Sequence, residues 1–296
     1  MCQYVWIDAL ANYITALGYP DVSEGSNFQK FWPASLHLVG KDILRFHAVY
    51  WPAFLMAAGL PLPKRLFAHG WWTKDGEKIS KSLGNVIDPV ELVQRYGVDQ
   101  TRFFLMSDGA FGNDCDFSDH DMVMKVNANL ANEFGNLCQR TLSMVYKNCN
   151  KTIPATLGIF NAEDEALLSR IKALPLYTGQ AIANQAIHKY TEALISAVWD
   201  ANKYVDSMAP WVLKKTDPDR MATVLYVLVE TIRQIAILYQ PVIPSAANAI
   251  LDQLNIPKDA RTFAHLSTPI ESGTDITQPF GVFPRIDLPE FVQAGH

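Results

Sequence analysis

The sequence predicts an α/β portion followed by an all-α helix bundle, and three observations carry that prediction. Short apolar runs alternate with helical periodicity over the first third of the chain. After about residue 118 the β-rich runs vanish and the helical period dominates. The composition, 49% apolar and 19% charged over 296 residues, is that of a globular protein large enough for two domains. The expected domains are therefore 1–118 and 119–296.

In the first part, Gln3 to Ile7 reads as a buried strand and Asp8 to Leu17 as the helix after it. Leu36 to Gly40 is a second apolar run closed by glycine. It leads into a helix over Asp42 to Ala58, where Ile43, Phe46, Tyr50 and Phe54 recur at helical spacing. Leu66 to Trp71 is a third strand. This alternation predicts parallel pairing, with ligands beyond the carboxyl ends of the strands, where Asp8, Gly40 to Asp42 and the residues after His69 fall.

The second part predicts helices over Met122 to Tyr146, Glu163 to Leu174, Ala181 to Asp206 and Asp219 to Leu238. Leu225, Leu228, Ile232, Ile235 and Leu238 form the apolar stripe of the last of these. Pro241 and Pro244 break it, and Ser245 is placed to cap a shorter helix ending near Leu254. The segment from Thr262 is expected to pack back as an extended tail.

Composition also bounds the function. No stretch reaches the roughly 20 uninterrupted apolar residues of a membrane span, and Met1 to Tyr4 lacks a signal-peptide pattern; a cytoplasmic protein without membrane contact is expected. Cys2, Cys115, Cys138 and Cys149 form no Cys-x-x-Cys pair, so ordinary thiols are expected and no metal site. A net charge of −5 weighs against sequence-blind nucleic-acid binding, though not against one local site for a structured RNA.

The richest motif is Lys78-Ile79-Ser80-Lys81-Ser82-Leu83-Gly84-Asn85, which follows an Asp75-Gly76 hairpin turn. Two lysines three apart among hydroxyl residues form a cationic loop suited to phosphate oxygens gaining charge. A solvated Lys/Ser loop is the plain alternative. Gly40-Lys41-Asp42 precedes a helix carrying His47: the glycine permits close backbone approach and the aspartate can accept from ribose hydroxyls. On spacing alone an N-cap role for Asp42 is preferred, as is a satisfied helix histidine for His47. Trp6, Ala9 and Tyr13 either line a small apolar pocket or belong to the core. In the bundle Asn129, Asn132, Asn136 and Arg140 share one stripe, and Pro210-Trp211 follows a long helix. An amide and a guanidinium one turn apart can read unpaired bases while an aromatic stacks on them; otherwise this is a solvated polar face.

Together these segments resemble the methionyl-tRNA synthetases, a family of class I aminoacyl-tRNA synthetases, through nearly the whole chain. Lys78 to Ser82 looks like the KMSKS loop, with Ile79 in the Met position. Gly40 to His47 resembles the Gly-x-Asp-x-x-x-x-His signature of the adenylate site, and Val5 to Leu10 the start of the methionine pocket. Asn136 to Arg140 resembles the anticodon-reading helix, Ala209-Pro210-Trp211 the anticodon-stacking tryptophan, and Phe283 to Asp287 the end of the bundle. The resemblance implies half of a Rossmann-like catalytic domain with the KMSKS segment, then an anticodon-binding bundle. It implies methionine contacts from Trp6, Ala9, Leu10, Tyr13, Ile43 and His47. ATP or adenylate contacts would come from Gly40, Asp42, Lys78, Ser80, Lys81 and Ser82, with Lys81 and secondarily Lys78 catalytic. Asn136, Arg140 and Trp211 would recognise a CAU anticodon.

The implied reaction is ATP-dependent formation of methionyl-adenylate and transfer to the 3′ end of methionine tRNA, with Mg2+ accompanying ATP. The sequence departs from the family pattern in having no His-x-Gly-His, and neither the first strand nor the insertion with zinc knuckles. It is accordingly expected to be a C-terminal portion, a monomer that forms no adenylate alone and joins an N-terminal half. Two other readings stand beside this one: a non-catalytic tRNA-binding fragment, and a class I synthetase for valine, isoleucine, leucine or cysteine.

Overall fold

The structure, a computed structural model, describes residues 5–80, 82–156 and 159–288. The chain divides into two compact units, one of residues 1–73 and 111–116, the other of 74–110 and 117–296.

The first unit opens with helix α1 (Trp6–Thr15), not with a strand running to Ile7. Leu10 and Ile14 are buried one turn apart, and that three-to-four spacing already includes Trp6. Gln3 and Tyr4, the rest of the expected strand, lie outside the described residues. Helix α2 (Asn27–Phe31) is capped by Ser26, whose hydroxyl accepts from the Gln29 N–H at 3.2 Å. Strand β1 (His37–Gly40) follows, then a 3₁₀ turn Lys41–Ile43, a wide π turn Phe46–Tyr50 and helix α3 (Trp51–Ala57). The wide turn has a local reason: Pro52 offers no N–H to the turn before it and its ring crowds that turn.

This irregularity moves the buried stripe. His47, Trp51 and Leu55 are 4%, 3% and 1% exposed, whereas Phe54, expected to face inward, is 37% exposed. Trp51 and Leu55 join Leu10, Ile14, Phe28 and Trp32 in one core cluster. Strand β2 (Leu66–His69) pairs with β1 in parallel, as expected, with Gly40 opposite His69 at the carboxyl ends. Strand β3 (Trp72–Lys74) turns through Asp75 (φ 52°) and Gly76 (φ 79°) into β4 (Glu77–Lys78). Two successive positive φ angles are the signature of the tight hairpin that the Asp-Gly pair announces.

In the second unit helix α4 (Pro89–Tyr96) is capped by Asp88, and α5 (Val98–Ser107) follows across Gly97. Strand β5 (Cys115–Phe117) completes a three-stranded sheet ordered β4-β3-β5, and the chain passes between the units within β3 and β5. Helix α6 (Asp119–Val126), a π stretch Asn127–Gly135 and α7 (Asn136–Asn148) run on as one rod. Helix α8 (Ala162–Ala183) continues past the expected end at Leu174, through Pro175. Burial of Thr178 and Ala181 carries it on, packing overriding the proline. Helix α9 (Ile187–Met208) therefore starts later than expected, after a left-handed Gln185.

Helix α10 (Pro210–Thr216) is short, and α11 (Pro218–Tyr239) is the bundle's axis. By length and composition α11 could cross a membrane, yet 89% of its apolar window is buried among the other helices. Helix α12 (Pro244–Gln253) is not capped by the Ser245 side chain. Asp99 of α5 accepts instead from the Ser245 and Ala246 N–H groups, at 3.2 and 2.6 Å. The tail packs back through Ile270, Ile276 and Phe283, broken by a 3₁₀ turn Phe263–Ser267.

Asp164 in the first turn of α8 is 0% exposed and fully engaged. It accepts from both terminal nitrogens of Arg220 (2.5 and 2.8 Å), from the Tyr204 hydroxyl and from the Asn161 N–H (3.0 Å). Burial pushes its carboxyl pKa up, but these donors outweigh burial and hold it below the usual range. A depressed folded-state pKa means stability present above the unfolded carboxylate pKa, about 3.9, and lost as pH falls through the folded value. Asp164→Ala, which leaves Arg220 without its partner, is expected to cost about 3–5 kcal/mol at neutral pH. Urea unfolding checks this, and the gap from the parent chain should narrow below about pH 4.

Candidate functional site

The aromatic cluster in the first unit is built from α1, β1 and the π turn before α3. Trp6 stacks flat on Phe46, centroids 3.7 Å apart and planes 10° off parallel, with His47 edge-on to Trp6 at 6.4 Å. Spacing of i, i+3, i+7 brings Trp6, Ala9 and Tyr13 to one side of α1.

 Ala9 itself is half-buried between them, while Leu10 is 1% exposed and belongs to the core cluster, not to an open lining. Ile43 is half-buried and enters through its backbone.

Hydrogen-bond direction places one proton of the His47 ring. The Ile43 carbonyl can only accept, so His47 Nδ1, 3.0 Å away, donates to it. In the neutral ring Nε2 is then an acceptor, and the Tyr13 hydroxyl donates to it at 2.9 Å. His47 is thus satisfied, as its surroundings in the sequence suggested, and is also joined to Tyr13. Phe46, Trp51 and His37 complete the aromatic surround and were not among the expected site residues. Trp51 donates through Nε1 to His37 Nε2 at 3.3 Å, and the His37 ring lies 4.5 Å from that of Tyr13. Burial, and secondarily His47, lowers the His37 pKa and favours its neutral form. The aromatic periodicity around Trp51 was the available signal for that residue; nothing local marks His37.

At the carboxyl ends of β1 and β2, Asp42 does not cap the turn it sits in. Its Oδ2 accepts from Trp71 Nε1 at 2.7 Å, and the N-cap position is Gly40, with no side-chain bond. A Cβ at Gly40 would come into ordinary contact with the Asp42 carboxylate and the His69 ring, at 3.6 and 3.7 Å, so this strand end lies directly beside both. Lys41 Nζ pairs with Asp114 (2.5 Å) and lies 4.1 Å over the Trp71 ring, while Asp114 also accepts from the Trp71 N–H (2.9 Å). The Lys41 and Trp71 donors hold the Asp114 carboxyl below its usual pKa.

The cationic loop belongs to the second unit. Lys78 ends β4 and is exposed. Asn85 clips the loop: its Oδ1 accepts from the Ser80 N–H at 2.8 Å and its Nδ2 donates to the Lys78 carbonyl at 3.1 Å. The Ser80 and Ser82 hydroxyls are 2.7 Å apart. Lys81 lies outside the described residues.

In the bundle Asn136 opens α7 and is exposed, with Arg140 one turn further on. The Arg140 guanidinium sits 5.3 Å over the Trp211 ring and pairs with Asp206 at 3.0 Å. Trp211 is 45% exposed because Ala209, left-handed at φ 43°, ends α9 and buried Pro210 starts α10, turning the indole outward. Arg140 and Trp211 are therefore brought together as expected, with Asn136 on the same helix. Asp206 was missed, and its position five residues before Trp211 offered no local signal. Asn129 and Asn132, also on the expected stripe, lie in the π stretch, where Asn129 bonds back to the Lys125 carbonyl.

The family described as "tRNA synthetases class I (M)" matches residues 1–142, and "Anticodon binding domain of methionyl tRNA ligase" matches 153–291. Methionine–tRNA ligase of Rickettsia felis is 51% identical over 295 residues, covering 96% of this chain and 56% of that protein. That of Brucella suis biovar 1 is 52% identical over 284 residues, covering 96% and 55%. Among solved structures, Mycobacterium tuberculosis methionyl-tRNA synthetase in complex with methionyl-adenylate superposes with a TM-score of 0.91 at 48% identity, over 95% of this chain and 56% of that one. The class is thus that of the class I tRNA synthetases. Within it, the chain belongs to the methionyl-tRNA synthetase family. It spans about 56% of the length of the curated relatives it matches.

Gly70 holds this strand end together, because a Cβ there would lie 2.1 Å from the Asn113 carbonyl oxygen. Gly70→Ala is expected to push the Asn113–Asp114 backbone away and to destabilise the chain by about 1–3 kcal/mol. Thermal unfolding monitored by tryptophan fluorescence checks it.

Proposed function

We propose that this chain is the KMSKS- and anticodon-bearing part of a methionine–tRNA ligase, which activates methionine with ATP and transfers it to the 3′ end of methionine tRNA. The observation that carries the reading is the aromatic box of Trp6, Tyr13, Phe46 and His47. Its Tyr13 hydroxyl and His47 ring bond to each other, so the box presents ring faces more than polar groups to a side chain. It suits instead an uncharged, polarisable thioether, for which sulfur–aromatic contacts are favourable. Ala9, Leu10 and Ile43 supply its aliphatic surround.

In the proposed reaction the methionine carboxylate attacks the ATP α-phosphorus, the bond to pyrophosphate breaks, and the tRNA 3′ ribose hydroxyl later displaces AMP from the acyl group. Such transfer depends on positioning and charge stabilisation. Gly40 and Asp42 would hold the adenylate, the glycine by close backbone approach and the carboxylate by accepting from ribose. Lys81, with Lys78, would neutralise charge developing on pyrophosphate, on a loop shaped by Ser80 and Ser82. Mg2+ would accompany ATP. Asn136, Arg140 and Trp211 would read the CAU anticodon, the indole stacking on a base and the amide and guanidinium bonding to base edges. The ATP-gripping histidines of the family pattern are absent from this sequence, so we propose that adenylate forms only when an N-terminal half is joined to it.

Methionine-dependent pyrophosphate exchange tests the catalytic part. In the full-length enzyme Lys81→Ala should slow exchange a hundred- to thousandfold, about 2.7–4 kcal/mol of barrier, with methionine affinity hardly changed. The chain alone should give none; an unchanged rate in the variant, or exchange by the chain alone, would refute the corresponding assignment. Trp211→Ala should weaken binding of methionine tRNA by about 1–3 kcal/mol. Filter binding with a changed-anticodon transcript as control checks this, since a variant equally impaired toward both RNAs would not be reading the anticodon.

A further inference from the structure

We propose that Trp71 is a positioning residue for the nucleotide, holding the Asp42 carboxylate with one oxygen engaged by the indole and the other turned to a ribose hydroxyl. The inference rests on reading Asp42 as the ribose acceptor of the adenylate site. Asp42 lies in the 3₁₀ turn Lys41–Ile43 at the carboxyl end of β1, and its side chain does not cap that turn. Nor does it pair with the lysine before it, whose ammonium bonds both oxygens of Asp114, at 2.5 and 2.7 Å. Among the described residues, the hydrogen bond that orients Asp42 is the one from Trp71 Nε1 to its Oδ2, at 2.7 Å. An indole nitrogen only donates, so this contact takes up one carboxylate oxygen.

The indole is itself fixed by groups other than Asp42. The Trp71 N–H donates to Asp114 Oδ1 at 2.9 Å, and the Trp71 carbonyl accepts from the Cys115 N–H at 2.8 Å. Lys41 Nζ, held by Asp114, lies 4.1 Å from the ring centroid and so covers one face of the indole. Backbone and ring face are thus anchored, and the ring edge carries the donor that meets Asp42. Because Lys41 is engaged by Asp114, the neighbouring Asp42 keeps its negative charge available to a hydroxyl donor. The Lys41–Asp114 pair is partly exposed, and such pairs add little to stability. Trp71 also lies outside the buried cluster of Leu10, Ile14, Phe28, Trp32, Trp51 and Leu55. A phenyl ring in its place would still offer a face to Lys41 but no donor to Asp42. The carboxylate would then have to be ordered by the nucleotide itself on binding.

The test compares ATP with 2′-deoxy-ATP and 3′-deoxy-ATP in the full-length enzyme, read as kcat/KM in methionine-dependent pyrophosphate exchange. The parent enzyme should prefer ATP over the analogue that lacks the bonded hydroxyl, since a site built for that hydroxyl is left unpaired without it. Trp71→Phe should shrink this preference about tenfold, the scale of one charge-assisted hydrogen bond, while the methionine KM stays unchanged. In an Asp42→Ala background, where no carboxylate is left to orient, Trp71→Phe should change the preference less than about twofold. Trp71→Leu, which also lacks the donor, takes the place of the Phe variant if that variant does not fold. Where exchange is too slow to follow, dissociation constants of ATP and the analogue from calorimetry give the same ratio. A loss shared equally by ATP and both analogues, or a full effect persisting in Asp42→Ala, would overturn the proposal, because a merely structural tryptophan gives that result. Asp42→Ala alone separates the two levels. If it leaves the preference unchanged, the ribose reading of Asp42 fails and this inference with it; if it lowers the preference while Trp71→Phe does not, only the role of Trp71 fails.

Discussion

A helix that is buried on every face has to be wrapped, and α11 imposes that constraint on the second unit. Its buried positions run almost without a break from Thr223 to Tyr239. Helices α7, α8, α9 and α12 and the returning tail supply the cover, with α10 against its start. Each covering helix can then turn only one face outward. On α7 the inward face takes Leu137, Cys138, Thr141 and Leu142, leaving Asn136 and Arg140 toward solvent. On α9 the same sorting buries Ala201, Tyr204 and Val205 and exposes Asp206. The polar corner at Trp211 is thus a consequence of where the apolar side chains must go. Glu230, charged and buried on this helix, is fully engaged: it accepts from Arg233 and Gln234 and from the Ile270 N–H.

The first unit works under a different constraint, the one-way character of hydrogen-bond donors. Two carbonyl- or indole-fixed contacts, His47 to Ile43 and Trp51 to His37, determine where both imidazole protons reside. For His37 this means a neutral acceptor within an aromatic surround, since a protonated Nε2 would face the Trp51 N–H donor. The cluster presents aromatic ring faces, whereas the Arg140–Trp211 corner presents a charge and an exposed π face. Those two environments match the two chemistries of the proposed function, an uncharged side chain on one unit and an unpaired base on the other.

Legibility followed the range of the interactions. The Asp75-Gly76 hairpin, the β1 and β2 runs and the α11 stripe were readable because each is decided by neighbours a few residues away. The start of α1 was misread because Trp6 and Ile7 suit a strand and a helix equally on propensity, and burial of Leu10 and Ile14 decides between them. The stripe of α3 was shifted because a π turn inserts a residue that no helical spacing anticipates. The cap of α12 was assigned to Ser245, whereas the acceptor is Asp99, 146 residues away. His37 and Asp206 were invisible for the same reason: each acquires its role from a partner on another element.

The cationic loop shows how local and distant determinants combine. Asn85 closes it over seven residues, so the Gly-Asn ending that first marked the motif also has a structural task. Gly84, at φ 68°, is what lets the chain turn back for that bond, since the left-handed region is costly for other residues. The clip engages backbone groups at Lys78 and Ser80, so the turn is held by main-chain bonds. Small hydroxyl residues suit such a turn: bulkier neighbours would compete for it, and acidic ones would neutralise the charge that the proposed reaction needs.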